Sequence, residues 1–82
     1  EARRNKLLGQ WAAGLMGLQG EKADAYVQEV IKADLVEAGD EDVFRKIRAD
    51  FDAKGVDQTD HQIRRHMGEF LAEAVRQVRE QG

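Results

Sequence analysis

The apolar residues of this 82-residue chain recur at steps of three and four, the spacing of one face of an α-helix. Short glycine-containing stretches divide this pattern into four segments. The pattern predicts helices over residues 2–16, 21–37, 41–54 and 60–80. No segment alternates with a period of two for long enough to indicate a strand.

Each predicted helix has one apolar stripe. The stripes consist of Leu7, Leu8, Trp11, Leu15 and Leu18 in the first segment, Ala23, Tyr26, Val27, Val30, Ile31 and Leu35 in the second, Val43, Phe44, Ile47 and Phe51 in the third, and Ile63, Met67, Phe70, Leu71, Ala74 and Val78 in the fourth. Connections this short force neighbouring helices to run roughly antiparallel. We therefore expect an all-α fold, a small four-helix bundle with short loops, with residues 1–82 forming a single domain.

Local signals mark several helix ends. Thr59 followed by Gln62 is a capping box and predicts a helix that begins at residue 60. Asp40 is the predicted N-cap of the third helix. Gly39 and Gly55 are predicted to end the second and third helices in the left-handed conformation.

Two glycines lie inside the first helical segment. Gly9 and Gly14 should each weaken that helix by about 1 kcal/mol relative to alanine. We interpret them as positions of close helix–helix approach rather than as hinges.

Composition excludes several classes of function. The chain has no cysteine, so it can form neither a disulfide nor a thiolate metal ligand. Its net charge is −3 and its isoelectric point about 5.3, which argues against nucleic-acid binding. The longest apolar stretch, residues 11–18, is too short to span a membrane. We expect a cytoplasmic protein without membrane insertion.

The polar residues do not form a recognisable catalytic motif. His61 and His66 are five residues apart, whereas metal ligands on one helix face need a spacing of three or four, so both are expected to face solvent. The acidic run Asp40 to Asp42 is explained by the start of a helix. We therefore expect no catalytic residue, no metal site and no cofactor, and conclude that the chain is not an enzyme.

One basic cluster leaves an alternative open. Arg64 and Arg65 lie near the start of the fourth helix, where an anion could bind. However, Arg65 can pair with Glu69 four residues later, and Asp57 and Asp60 supply competing negative charge. An anion contact at Arg64 and Arg65 is the weaker interpretation.

The start of the chain is unusual for a helix. The helical pattern begins at once, with no N-cap, and Arg3, Arg4 and Lys6 surround Asn5 where the helix dipole favours acids. We expect a truncated chain whose first helix continues a longer one. Trp11, on the apolar face of the same helix, is interpreted as structural.

Three stretches resemble one known family. The sequences ARRNKLLGQWAAGLMG from residue 2 to 17, AYVQEVIKADLVEAGDEDVFRKIRADF from 25 to 51, and HQIRRHM from 61 to 67 are similar to the zeta inhibitor subunit of the alphaproteobacterial F-type ATP synthase. The resemblance covers nearly the whole chain. It implies a four-helix bundle that regulates an enzyme rather than acting as one.

The resemblance also implies a partner and a mechanism. Members of this family carry an N-terminal arm that becomes helical, enters a catalytic interface of the rotary ATPase and blocks ATP hydrolysis. The partner would be the catalytic head of the F-type ATP synthase, which would hold the protein in the cytoplasm, peripheral to the inner membrane. None of the arm's residues can be assigned here. Arg3, Arg4, Asn5 and Lys6 are expected to form the junction with the arm and to contact the partner.

Two other classes of function remain as alternatives. The first is a small helical sensor that makes a weak nucleotide or phosphate contact through Arg64 and Arg65. The second is a protein-interaction bundle that self-associates, although the mixed surface charge favours a monomer.

Overall fold

The computed structural model describes residues 2–35 and 40–81 and contains four helices in these ranges. They are α1 (Ala2–Leu15), α2 (Glu21–Asp34), α3 (Glu41–Lys54) and α4 (Asp60–Gln81). No strand occurs among the described residues, and the predicted all-α four-helix bundle with short loops is confirmed. Helix α1 packs against α2 and α4, and α3 packs against the same two helices.

The predicted capping box begins α4. The backbone N–H of Thr59 donates to the Gln62 side-chain oxygen at 2.9 Å, and the backbone N–H of Gln62 donates to the Thr59 hydroxyl at 3.1 Å. Each side chain thus satisfies a backbone donor that the first helical turn leaves without a partner.

Glycine in the left-handed conformation ends α3. Gly55 has a φ of 69°, and the N–H of Val56 donates to the carbonyl of Phe51 at 2.9 Å. Gly17, with a φ of 76°, ends α1 in the same way, since the N–H of Leu18 donates to the carbonyl of Ala13 at 2.9 Å. Both endings are Schellman motifs. The predicted stop at Gly39 lies outside the described residues.

Asp40 is the N-cap residue of α3, as predicted, but its side chain does not cap the helix. Asp40 directly precedes α3, but its carboxylate makes no capping hydrogen bond. Instead it accepts a hydrogen bond from Arg4 at 2.9 Å. The first turn of α3 has Glu41 and Asp42, whose negative charge favours a helix N-terminus.

The core is formed by one face of each helix. Its fully enclosed apolar side chains include Leu8, Ala12, Val30, Val43, Ile47, Phe51 and Ile63. Helices α1 and α2 meet most closely at Gly9, where an added Cβ would lie 3.0 Å from the Cα of Val27. The interpretation as a site of close approach is therefore correct for Gly9. It is wrong for Gly14, which has nothing within 4 Å of an added Cβ.

Four residues of the predicted stripes are exposed. Leu35 is 79% exposed and follows the last residue of α2, although the second helix was expected to include it. Leu15, Leu71 and Val78 are 42%, 38% and 53% exposed. Helix α4 has 22 residues, whereas the other three helices have 14 each, so its last turns extend past the core. The apolar periodicity predicted on which face of its helix each residue lies, but it could not predict how far along the helix the core extends.

No helix in the two described ranges has the length and apolar character needed to cross a membrane.

Candidate functional site

The first turn of α1 buries an arginine and an asparagine. The Arg4 side chain is only 2% exposed, and Asn5 is 1% exposed. One terminal nitrogen of Arg4 donates to Asp40 at 2.9 Å and lies 3.8 Å from the Asp34 carboxylate. The Arg4 Nε donates to the Asn5 side-chain oxygen at 2.6 Å. A buried guanidinium is stable only with such carboxylate and hydrogen-bond partners.

This Arg4 cluster, formed by Arg4, Asn5, Asp34 and Asp40, joins three helices. The Asn5 side chain is also a hydrogen-bond partner of the Asp34 carboxylate. Asp34 is the last residue of α2, and Asp40 directly precedes α3. The cluster therefore fixes the start of α1 against the end of α2 and the start of α3. Of the four predicted junction residues, Arg4 and Asn5 are buried within the bundle, and their contact with a partner stays a prediction.

The other two junction residues, Arg3 and Lys6, lie on the outer face of α1. They line an open groove of about 720 Å³. The other lining residues are Ala2, Leu7 and Gln10 of α1, Ile31 of α2 and Gln77 of α4. An Arg3 terminal nitrogen is 3.5 Å from the Gln77 side-chain oxygen. We call this feature the α1 groove. Among the described residues that line it, two are basic and none is acidic.

The arginines of the predicted anion contact are held by carboxylates. Two nitrogens of Arg64 donate to the two Glu41 carboxylate oxygens at 2.9 and 3.3 Å, and its guanidinium carbon lies 3.9 Å from the Phe44 ring centre. The hydrogen bonds from Arg64, reinforced by its charge, keep the pKa of Glu41 below its ordinary value. Arg65 lies 3.5 Å from Glu69, as its spacing suggested. An anion contact here stays a prediction.

The prediction that His66 faces solvent is wrong. Its ring stacks on Trp11 with the ring centres 4.2 Å apart and the planes 17° from parallel. The Nδ1 atom lies 2.9 Å from the Gln62 carbonyl oxygen, so the tautomer with hydrogen on Nδ1 donates there. His66 is half-buried because α1 packs over this side of α4, whereas His61, one turn earlier, is exposed.

The interpretation of Trp11 as structural is confirmed. Its ring meets Phe51 edge to face at 5.5 Å, which joins α1 to α3 at the rim of the core. No group of three or more His, Asp or Glu side chains in the described ranges is placed to hold a metal ion.

A second polar cluster joins α2 to α3, and the sequence did not indicate it. The Tyr26 hydroxyl donates to Asp50 at 2.8 Å, and Lys46 donates to Asp50 at 3.0 Å and to Glu29 at 2.9 Å. Burial, together with the hydrogen bond to Asp50, raises the pKa of Tyr26 well above its ordinary value. Tyr26 had been assigned only to an apolar stripe, and its hydroxyl was the missed signal. The cluster has a structural role.

These features describe an all-helical domain whose buried charged side chains join one helix to another. The sequence matches the ATPase inhibitor subunit zeta family over residues 1–77, and the chain belongs to that family. The resemblance drawn from the three sequence stretches is therefore confirmed. The family consists of regulatory subunits rather than catalytic ones.

A solved structure shows the same fold. It is a protein determined by solution NMR that superposes with a TM-score of 0.83 and is 42% identical in sequence. The matched region covers 99% of this chain and 92% of that one. No match was found among curated proteins.

Proposed function

We propose that this chain is the globular domain of a subunit that inhibits ATP hydrolysis by the F-type ATP synthase through its catalytic head. The observation that carries the proposal is the match to the ATPase inhibitor subunit zeta family over residues 1–77. The proposed partner would hold the protein in the cytoplasm, peripheral to the inner membrane.

In this proposal the inhibitory element is a helical arm that precedes Ala2 and continues α1. The Arg4 cluster supports this idea, because it fixes the axis of α1 from its first turn. An arm joined to a fixed helix leaves the bundle in one direction. Less orientational freedom is then lost when the arm binds, which favours affinity.

The dimensions of the bundle suggest how far such an arm can enter the enzyme. A single α-helix with side chains is about 10–12 Å across. The bundle spans 39 × 27 × 23 Å between Cα atoms, so even its narrowest dimension is wider than one helix. A groove that accepts the arm would therefore stop the bundle at its entrance. Arg3 and Lys6 would lie next to the enzyme surface there.

An ATP hydrolysis assay tests the proposal. Purified F-type ATP synthase from the same organism is mixed either with this 82-residue chain or with a version extended by the family's N-terminal arm. The extended protein should inhibit hydrolysis strongly and the 82-residue chain much less. Equal potency of the two proteins would disprove the assignment of inhibition to the arm.

The alternative, a nucleotide or phosphate sensor at Arg64 and Arg65, has less support. Arg64 is engaged by both oxygens of Glu41, and Arg65 faces Glu69. A phosphate group would have to displace these carboxylates. Titration with ATP, followed by amide NMR shifts, would favour the sensor only if saturable shifts centred on the start of α4.

A further inference from the structure

The charge of α1 differs from that of the rest of the protein. Over Ala2–Leu15 it carries three basic residues and no acidic one, whereas the whole chain has a net charge of −3. The other three helices each have at least one acidic residue in the first turn. A neighbouring carboxylate would compensate the positive charge of these α1 side chains.

Arg4 has such a partner within the bundle, whereas Lys6 has none among the residues that the structure describes. Asp40 and Asp34 neutralise Arg4. Lys6 is exposed, and it forms no ion pair with another residue in the described ranges. Lys6 lines the α1 groove together with Arg3. Binding of a carboxylate there would compensate the charge of Lys6.

The α1 groove also has apolar surface and the length of a short helical contact. Leu7 and Ile31 are half-buried residues that line it, and Gln10 and Gln77 offer hydrogen-bonding amides. From Ala2 to Gln10 is eight residues along α1, or about 12 Å, which equals roughly two turns of a docked helix. Helices that bind in grooves place apolar side chains inside and charged ones at the rim.

The groove continues along α1 with a change of charge. Lys6, Gln10 and Ile31 also line an adjoining hollow of about 250 Å³ that includes Asp24 of α2. One end of the combined surface is therefore basic and the other acidic. A docked segment would be held in one orientation, with a carboxylate toward Lys6.

We propose that the α1 groove docks an acidic amphipathic helical segment of the ATP synthase catalytic head, with Lys6 pairing with one of its carboxylates. This inference rests on the proposed function, because that function supplies the partner. It adds a second contact, made by the bundle itself, to the contact made by the arm. Two linked contacts raise the overall affinity above that of either one alone.

Binding of the 82-residue chain to immobilised catalytic head from the same organism tests the inference. The test variant is Lys6→Glu and its matched control is Lys22→Glu, an exposed lysine on α2 that lines neither part of the groove. A glutamate near the start of a helix is favoured by the dipole, so both variants should fold. Circular dichroism and thermal unfolding verify this before binding is measured.

Lys6→Glu should weaken binding about tenfold or more, while Lys22→Glu should stay within about twofold of the unmodified chain. Binding of the unmodified chain should also weaken between about 50 and 300 mM salt, and Lys6→Glu should lose part of that dependence. A structural role for Lys6 would not change the salt dependence.

Equal effects of the two substitutions would overturn the groove assignment and leave the proposed function standing. Absence of any binding by the unmodified 82-residue chain would also overturn it. The proposed function would then be judged separately, by hydrolysis assays of the arm-extended protein.

Discussion

Substituting alanine for each of two glycines in α1 should have opposite effects on stability. At Gly9 the new Cβ would lie 3.0 Å from the Val27 Cα and 3.2 Å from its Cγ2, and the nearest of these atoms belongs to the backbone of α2. At Gly14 the new Cβ would meet nothing within 4 Å. Both residues lie in α1 and neither has a positive φ, so the substitutions differ mainly in packing.

The sizes of the two effects follow from this difference. Alanine gains about 0.5–1 kcal/mol over glycine within a helix, and Gly14→Ala should be stabilising by up to this amount. Overpacking a close contact costs about 1–3 kcal/mol, and the upper half of this range applies at Gly9 because a backbone must move. Gly9→Ala should therefore be destabilising by about 1–2.5 kcal/mol, since the overpacking cost exceeds the gain in helix propensity.

Urea unfolding followed by circular dichroism measures both values. The two free energies of unfolding should differ by about 2–3 kcal/mol, or roughly 8–24 °C in melting temperature for a domain of this size. Gly68→Ala in α4, whose added Cβ meets no described residue within 4 Å, serves as a second control and should be stabilising. If Gly9→Ala stabilised the protein as much as the controls do, the close approach of α1 and α2 would be refuted.

Three further predictions concern the polar clusters and one helix start. Arg4→Met should lower the free energy of unfolding by about 2 kcal/mol, which is less than for a fully buried ion pair because Asp40 is half exposed to solvent. A loss below about 0.5 kcal/mol in urea unfolding would contradict the Arg4 cluster. Thr59→Ala should lower the free energy of unfolding by about 1 kcal/mol in the same assay, and Thr59→Ser should lower it much less because serine keeps the capping oxygen. Equal losses for the two variants would argue against the cap. The single tyrosine, Tyr26, should titrate by ultraviolet absorbance above its ordinary pKa of about 10, and Asp50→Asn should lower that value. Because the pKa of Tyr26 is higher in the folded protein than in the unfolded one, stability should fall as the pH rises past about 10. Ionisation of Tyr26 at its ordinary pKa in the folded protein would contradict the buried hydrogen bond.

Local signals in the sequence were sufficient to predict the helices and several of their ends. The Thr59–Gln62 box and the glycine ending at Gly55 depend on residues within one turn of each other, so spacing alone reveals them. The apolar periodicity gave the all-α fold for the same reason, since each stripe is contained in a single helix.

The candidate site could be predicted only in part, because its contacts join distant parts of the chain. Arg4 pairs with residues 30 and 36 positions away, and no local pattern distinguishes it from the exposed Lys6. His66 is half-buried because Trp11 of another helix stacks on it. The resemblance to the inhibitor family predicted a junction at Arg3 to Lys6, and only the structure shows that Arg4 and Asn5 are buried whereas Lys6 is exposed.

The central claim is that this bundle belongs to an inhibitor of the ATP synthase and fixes the direction of the arm that inhibits. The most direct measurement compares ATP hydrolysis by the purified synthase in the presence of the arm-extended protein and in the presence of its Arg4→Met variant. Both proteins are assayed at a temperature at which each is fully folded. The account predicts strong inhibition by the arm-extended protein and markedly weaker inhibition by the variant, because α1 would no longer be held at its first turn. No inhibition by the arm-extended protein would contradict the proposed function. Equal inhibition by the two proteins would contradict the role of the Arg4 cluster in directing the arm.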